Sequence, residues 1–311
     1  MAKILTITFN PVIDKSTTIP ALIPEKKLRC APPKFEPGGG GINVARAIKK
    51  LGGEAKALYL AGGYTGVFLN ELLKREGVDT RPIEISHHTR ENLIVLDAST
   101  NQQYRFGMPG PEITEAEWGA CLQVIEQEDG LEFIVASGSL PAGVPTDIYA
   151  RIAAIAKKKG AKLVVDTSGE ALQQAAREGV YLLKPNLSEL SSLVGKEEIH
   201  AELVDDVARE IIDKGECEIV VTSLGPAGAM LVTRNEVMTI TPPVVKKRST
   251  VGAGDSMVAG MVLSLSRGWA VTEAAKYGVA AGTGATMNPG TELCRLDDVE
   301  KLYRLIQSKR G

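Results

Sequence analysis

The chain has 311 residues, 44% of them hydrophobic and 24% charged, the balance of a soluble globular protein long enough to bury its core without disulfides or metals. Its formal net charge is −2 and it carries no basic block, which argues against nucleic acid as a partner. Four scattered cysteines (Cys30, Cys121, Cys217, Cys294) form no C-x-x-C pair, and with three histidines (His87, His88, His200) they offer no zinc set. No run of ~18 apolar residues could span a membrane, and Met1–Phe9 is too short for a signal peptide. The expected location is cytoplasmic.

In chain order, Met1–Phe9 reads as a buried first strand. Val12–Thr18 with Leu28–Phe35, and Ile83–Asp97 with Gln103–Phe106, read as strands joined by short polar links. The segment from Asp97 to Gln102 (Asp-Ala-Ser-Thr-Asn-Gln) is a natural hairpin turn. Neither pair is followed by a helix. Both are therefore expected in a small antiparallel outgrowth, a β-sheet lid over residues 12–35 and 83–107 of a single domain spanning 1–311. Open sheet edges need cover, and a homodimer through the lid sheet would supply it.

The second half alternates strand-like runs (Leu131–Ala136, Lys162–Val165, Tyr181–Leu183, Glu218–Thr222, Ala229–Val232) with amphipathic stretches (Asp147–Lys159, Ser188–Val194, Val204–Lys214). Alternation of this kind implies parallel pairing and right-handed crossovers, hence a three-layer α/β/α domain with a mostly parallel central sheet. Two Gly/Ala-rich helices follow, near Gly254–Ser266 and Thr272–Met287, with small residues suited to close packing.

Four segments could carry chemistry. Ser249-Thr-Val-Gly-Ala-Gly-Asp-Ser256 is a glycine-rich turn entering a helix, where amides at the positive helix end can hold a phosphoryl group. Asp255 would repel that group unless it accepts a proton from an attacking hydroxyl, with Gly252, Ala253 and Gly254 supplying the amides; the alternative is a simple N-cap. Pro37-Gly-Gly-Gly-Gly-Ile-Asn-Val-Ala-Arg46 opens an amphipathic helix (Ile42, Ala45, Ile48, Leu51), with Asn43 placed to bond substrate hydroxyls. In Lys184-Pro-Asn-Leu-Ser-Glu189, Asn186 and Glu189 can share one face and hold hydrated Mg²⁺, or merely start a helix. Thr222–Gly228 is a strand-to-turn where backbone groups could meet nucleotide phosphates. On the outgrowth, Arg90 and Arg105 suit bidentate phosphate contact, Lys27 and Arg29 add positive charge, and Asp14 could accept from sugar hydroxyls. No G-x-x-x-x-G-K-[ST], protein-kinase motif or complete G-x-G-x-x-G is present.

Taken in order, Asp14, the glycine run with Asn43, Ser137-Gly-Ser139, Lys184-Pro-Asn-x-x-Glu189 and Thr250-Val-Gly-Ala-Gly-Asp255 resemble the ribokinase-like (PfkB) carbohydrate kinases over essentially the whole chain. The resemblance implies an ATP-dependent sugar-phosphate kinase with a lid that often makes the dimer contact. It implies that Asp14, Gly38, Gly39 and Asn43 bind sugar hydroxyls, while Arg90, Ser139 and Lys27 reach a 6-phosphate. It further implies that Lys184, Asn186, Ser223, Leu224, Gly225, Pro226, Ala227, Gly228, Gly282 and Thr283 line the ATP site. Glu189 would organise Mg²⁺ through water, and backbone carbonyls around Ser249, Val251, Ala285, Asn288 and Gly290 would hold a monovalent cation, K⁺. Related 1-phosphofructokinases and tagatose-6-phosphate kinases carry lysine where this chain has Gly40. That departure favours fructose 6-phosphate, phosphorylated on its 1-hydroxyl to fructose 1,6-bisphosphate, over tagatose 6-phosphate or fructose 1-phosphate. A non-catalytic nucleotide-binding regulator is the alternative from another class.

Overall fold

The computed structural model describes residues 4–308. The first half contains β1 (Ile4–Thr8), β2 (Val12–Ile19), β3 (Lys34–Gly38), α1 (Gly40–Lys50), β4 (Lys56–Ala61), α2 (Gly63–Arg75), β5 (Asp79–Glu84), β6 (Arg90–Asp97), β7 (Gln102–Phe106) and α3 (Glu115–Gln127). There follow β8 (Phe133–Ser137), α4 (Ile148–Lys159), β9 (Lys162–Asp166), α5 (Gly169–Glu178), β10 (Val180–Leu183), α6 (Leu187–Leu193) and α7 (Val204–Asp213). The remainder is β11 (Cys217–Ser223), β12 (Ala229–Thr233), β13 (Val237–Ile240), α8 (Ala253–Ser266), α9 (Val271–Thr286) and α10 (Leu296–Ser308).

The main sheet has the order β13-β12-β11-β10-β9-β8-β1-β4-β5. It is parallel from β11 to β5, and β12 and β13 return antiparallel. Its strands are buried on both faces, so they read as continuous apolar runs rather than alternating ones. Phe133 and Val135 face α1, α2, α8, α9 and α10, whereas Ile134 and Ala136 face α3 to α7. This is the three-layer α/β/α domain expected from the sequence. Each fully buried Leu or Ile in these layers contributes about 1.5–3 kcal/mol.

From β1 the chain adds β4 and β5 on one side, and the later strands extend from β8 on the other. Strand order therefore reverses at β1, and at such a point the carboxyl ends of parallel strands open a crevice. The ends of β1, β8, β9, β10 and β11 meet there.

The lid is a second sheet, of order β3-β2-β6-β7. Its outer ladders are antiparallel, but β2 and β6 pair in parallel, which corrects the antiparallel outgrowth expected above. The reason is topological: β2 continues from β1 and β6 from β5, two parallel strands, so both leave the main sheet in one direction. Ile83 and Glu84 belong to β5 in the main sheet, paired with Leu60 and Ala61. The strand expected over Leu28–Phe35 begins only at Lys34, because Pro32 and Pro33 have no amide to give a ladder. The hairpin turn forms as read. Asp97 Oδ1 accepts from the Ser99 amide (2.8 Å) and hydroxyl (2.6 Å), and Asn101 takes the left-handed conformation (φ 55°).

Helices α8 and α9 pack through glycines. A Cβ on Gly278 would stand 2.9 Å from the Met257 carbonyl oxygen, whereas a Cβ on Gly119 in α3 would meet nothing within 4 Å. Gly278→Ala is therefore expected to destabilise by about 1–3 kcal/mol through overpacking. Gly119→Ala should stabilise by about 0.4–1 kcal/mol. Urea unfolding of the two variants beside the parent measures both signs.

Candidate active site

The site is built on the first turn of α8. Gly252 takes the left-handed conformation (φ 72°) and turns the chain into the helix, and no side chain caps it. Helices α3 and α6, by contrast, are each closed by a capping box, Thr114 with Glu117 and Asn186 with Glu189. The Ala253 amide makes only a long 3.4 Å bond to Thr250 O. The donors at this helix end are thus left to an outside acceptor, and they favour an anion. Asp255 is the third residue of α8 rather than its N-cap, and its Oδ2 accepts from Asn43 Nδ2 at 2.9 Å. The capping alternative is not what the chain builds.

Charges around Asp255 are arranged against its ionisation. Burial, and next the negative charge of Asp166, raise its pKa to about 6, while the Asn43 hydrogen bond, Lys184 and Arg46 pull it back. Asp166, at the end of β9, pairs with Lys184 Nζ at 3.0 Å, both side chains being largely buried. Burial alone would lower the Lys184 pKa; Asp166, with Glu189 and Asp255, outweighs it and raises the pKa, so the ammonium stays charged. Lys184 Nζ lies 3.6 Å from where a Cβ of Gly254 would stand, beside the open amides. Sequence reasoning missed Asp166. An acid at the carboxyl end of a buried parallel strand was the available signal.

The glycine run threads between lid and main sheet. A Cβ on Gly38 would come 2.7 Å from Asp14 Oδ2, and one on Gly40 would stand 2.6 Å from Ser137 C and 2.7 Å from Gly138 N. Gly39 has φ 113°. Thr8 Oγ1 accepts from the Ile42 amide at 2.8 Å, pinning the start of α1 to β1. Asp14 Oδ1 accepts from Asn92 Nδ2 (3.1 Å), and burial raises the Asp14 pKa against the pull of Asn92 and Arg90.

Nearby, Arg90 donates to Met108 O and Asn10 O, both at 3.1 Å, but its buried Nε finds no partner. Asn10 Nδ2 donates to Ser139 Oγ at 3.0 Å, and its Oδ1 is likewise buried without a partner. Arg90, Asn10 and Ser139 thus line one polar recess with unused capacity. Asn10, just past β1, was not singled out from the sequence. Arg105, opposite Ile94 on β7, shares the lid face of Arg90, but it is exposed and its guanidinium donates to Gln103 Oε1. Lys27 is exposed in the loop between β2 and β3. Neither is gathered into this recess.

On the other side of Gly254 lies a cavity of about 410 Å³, lined by Ser223, Gly225, Pro226, Gly228, Gly282 and Thr283 together with Pro242, Val244, Val245 and Val279. Such largely apolar walls suit a flat heterocycle. Leu224 and Ala227 shape the same turn, Leu224 N donating to Gly228 O (2.8 Å) and Ala227 N to Leu224 O (3.2 Å). Asn186 bridges to Ser223 at its edge. A larger groove of about 1190 Å³ runs past Lys162, Val180 and Cys217, at the amino ends of β9 to β11, the wrong end of the sheet for this chemistry.

Two ion sites can be tested on these residues. Glu189 Oε2 accepts from the Asn186 amide at 2.8 Å in the capping box, so this pair does start a helix. Burial also raises the Glu189 pKa, and Lys184 and Asp166 lie close by. Among the described residues no three His, Cys, Asp or Glu side chains gather as a metal site. One carboxylate acting through water fits Mg²⁺, which keeps several waters. The five residues expected around a monovalent cation lie on neighbouring segments, joined where the Ser249 amide donates to Thr286 O (3.3 Å). Ser249 Oγ donates to Gly290 O (2.6 Å) and accepts from Val251 N (3.2 Å), and Asn288 N donates to Ala285 O (3.1 Å). Glu36 Oε2, accepting from Thr291 Oγ1 at 2.6 Å, adds negative charge beside Gly290. This oxygen-rich corner fits a hard cation.

The field at Asp255 can be read directly. A ¹³C carboxyl titration should show Asp255 protonating near pH 6. In Asp166→Asn, where the neighbouring negative charge is gone, its midpoint should move to lower pH; an unmoved midpoint would show that Asp166 does not act on Asp255.

The chain matches the pfkB family carbohydrate kinase model over residues 6–298. It is 47% identical over 308 residues to ATP-dependent 6-phosphofructokinase isozyme 2 of Escherichia coli (strain K12), covering 98% of this chain and 99% of that one. Phosphofructokinase-2 from Escherichia coli in complex with potassium superimposes with a TM-score of 0.94 at 45% identity, covering 99% of this chain and 100% of that one. The same enzyme in complex with fructose-6-phosphate gives 0.92 at 44% identity, with the same coverage.

Proposed function

The chain belongs to the pfkB family of carbohydrate kinases, and from that premise we propose that it is an ATP-dependent 6-phosphofructokinase, moving the γ-phosphoryl of ATP to the 1-hydroxyl of fructose 6-phosphate. One observation carries the reading of the site: a carboxylate with a pKa raised to about 6 stands in the uncapped mouth of α8, beside a charged lysine. A general base works best when its pKa lies near the operating pH. Open amides and a cation at the same point are what a migrating phosphoryl needs as its charge spreads.

The parts then fall into roles. ATP lies with its base in the apolar cavity by Val245 and Val279 and its phosphates over the Ser223–Gly228 turn, towards Gly254. The sugar lies under the lid, its hydroxyls on Asp14 and Asn43 and its phosphate in the recess of Arg90, Asn10 and Ser139. The spare Arg90 Nε supports that assignment, since a guanidinium held by two carbonyls still has a donor for an anion. Asp255 takes the proton from O1 as the oxygen attacks, and the Gly252–Asp255 turn and Lys184 hold the phosphoryl in line. Glu189 would hold Mg²⁺ through water, and the carbonyls at Ser249, Val251, Ala285, Asn288 and Gly290 would hold K⁺; when bound, the two ions would supply positive charge against the negative phosphates. Lid closure excludes water from the transfer.

Gly40 supports the choice of sugar. A side chain there would drive into the Ser137–Gly138 backbone, so the lysine of the 1-phosphofructokinase pattern has no room without rebuilding the Ser139 turn. A homodimer through the lid is supported by apolar side chains left exposed along it, Phe106, Met108, Leu22 and Ile23. The free thiols of all four cysteines favour a reducing, cytoplasmic setting.

Asp255→Asn is expected to lower kcat for ADP release on fructose 6-phosphate by about 10²–10⁴, with ATP affinity little changed; near-normal turnover would remove Asp255 from the role. Arg90→Ala should raise KM for fructose 6-phosphate by about 10–100-fold, the worth of charge-assisted hydrogen bonds, with a smaller effect on kcat. A panel of phosphorylated and free ketohexoses compared by kcat/KM tests the substrate, and preference for unphosphorylated fructose would overturn the phosphate recess.

A further inference from the structure

Asn43 meets Asp255, and something must decide which end of its amide does so. Asn43 and Arg46 are three residues apart on α1, hence on one face. Arg46 is 3% exposed. Its Nε and Nη2 donate to the two carboxylate oxygens of Glu76, both at 2.7 Å, a bidentate fork. Its Nη1 donates to Pro37 O (2.6 Å), at the end of lid strand β3, and to Asn43 Oδ1 (3.2 Å). A guanidinium can only donate. The oxygen of the Asn43 amide is therefore fixed towards Arg46, and its NH₂ is turned to Asp255 Oδ2.

Stability alone does not call for this arrangement. A buried ion pair is commonly replaced by packed apolar side chains at no net cost, and Glu76 is about a third exposed. Four N–H groups of one guanidinium nevertheless reach the residue just past α2, the end of β3 and Asn43. Resting on the reading of Asp255 as the base, we propose that Arg46, clamped by Glu76 and Pro37 O, is a positioning residue that sets the Asn43 amide and so aims the Asp255 carboxylate at the incoming hydroxyl.

Its charge also bears on Asp255. The charged groups acting on that carboxylate are Asp166 from β9, Lys184 after β10 and Arg46 from α1, with Glu189 of α6 acting on Lys184. Removing Arg46 takes away one of two cations that favour the ionised base, so the acidic limb of kcat should move to higher pH. Removing the charge of Glu76 leaves Arg46 less neutralised and should move it the other way. An arginine whose charge does not reach Asp255 would move neither, and one that only stabilised the fold would leave kcat of the folded variant unchanged.

The test is kcat and KM against pH for Arg46→Met, Arg46→Lys and Glu76→Gln, each checked for folding by thermal melting and for ATP binding. Arg46→Met should lower kcat by about 10–100-fold, the scale of a displaced reacting group, with a smaller change in KM and a limb at higher pH. Arg46→Lys keeps the charge without the fork, and should return the limb to its parent position while restoring kcat only in part. Glu76→Gln should lose less kcat and show a limb at lower pH. A folded Arg46→Met with parental kcat and limb, a loss carried wholly by KM, or limbs of Arg46→Met and Glu76→Gln moving together would each overturn the proposal. Should Arg46→Met not fold, Arg46→Lys and Glu76→Gln decide it by the same limbs, unmoved for the first and lowered for the second. Asp255→Asn in the same assay separates the two levels. If it turns over normally, the base assignment fails; if it is inactive while Arg46→Met is normal, only the role of Arg46 fails.

Discussion

A carboxylate held inside the positive end of a helix, without being spent on capping it, is the constraint on which the rest of this molecule depends. Asp255 stands at the third helical position, where Glu117 and Glu189 reach back to the N-cap amides of α3 and α6, yet α8 has no side-chain cap. Asp255 accepts instead from Asn43, on α1. Asp166 and burial keep its proton affinity high, and Lys184 keeps the amides' neighbourhood positive. Each partner comes from a different element, so the chemistry exists only once β9, β10, α1 and α8 are docked.

Topology makes that docking possible. The reversal of strand order at β1 leaves room above the sheet for the glycine run, which passes so close to Ser137, Gly138 and Asp14 that side chains on Gly38 or Gly40 would collide. The same closeness puts the polar recess, built on Asn10, Arg90 and Ser139, on one flank of the α8 turn, and the apolar cavity on the other. Packing of α8 on α9 through Gly260, Gly278 and Gly282 keeps the back of that cavity narrow.

Much of this was legible in the sequence, because β-branched runs and glycine-rich helix starts carry their own local physics. Strands β8 to β12, the hairpin at Asp97 and the helix starts at Gly40 and Ala253 fall within a residue or two of expectation, whereas β13 was not expected. What was not legible depends on partners distant in the chain. Whether β2 and β6 run together or opposed is decided by β1 and β5 pairing elsewhere, and no pattern within Val12–Thr18 records it. Asp166, Asn10 and Arg46 likewise look like ordinary strand-end and helix residues until folding brings them to Lys184, Ser139 and Glu76. The walls contributed by Pro242 to Val245 lie in a stretch without periodicity, where composition says only loop.

The parallel ladder at the centre of the lid also constrains how the chain acquires its shape. Val12 lies opposite Arg90, so this ladder joins segments separated by nearly eighty positions. Loop closure of that length goes unrewarded until β1, β4 and β5 have aligned. The lid must therefore be among the last parts to assemble, on a scaffold already finished beneath it. During synthesis β2 waits, unpaired on that side, until β6 has emerged. The four-stranded sheet shares no ladder with the main sheet, so its pairing can be lost while β9, which ends at Asp166, stays in place.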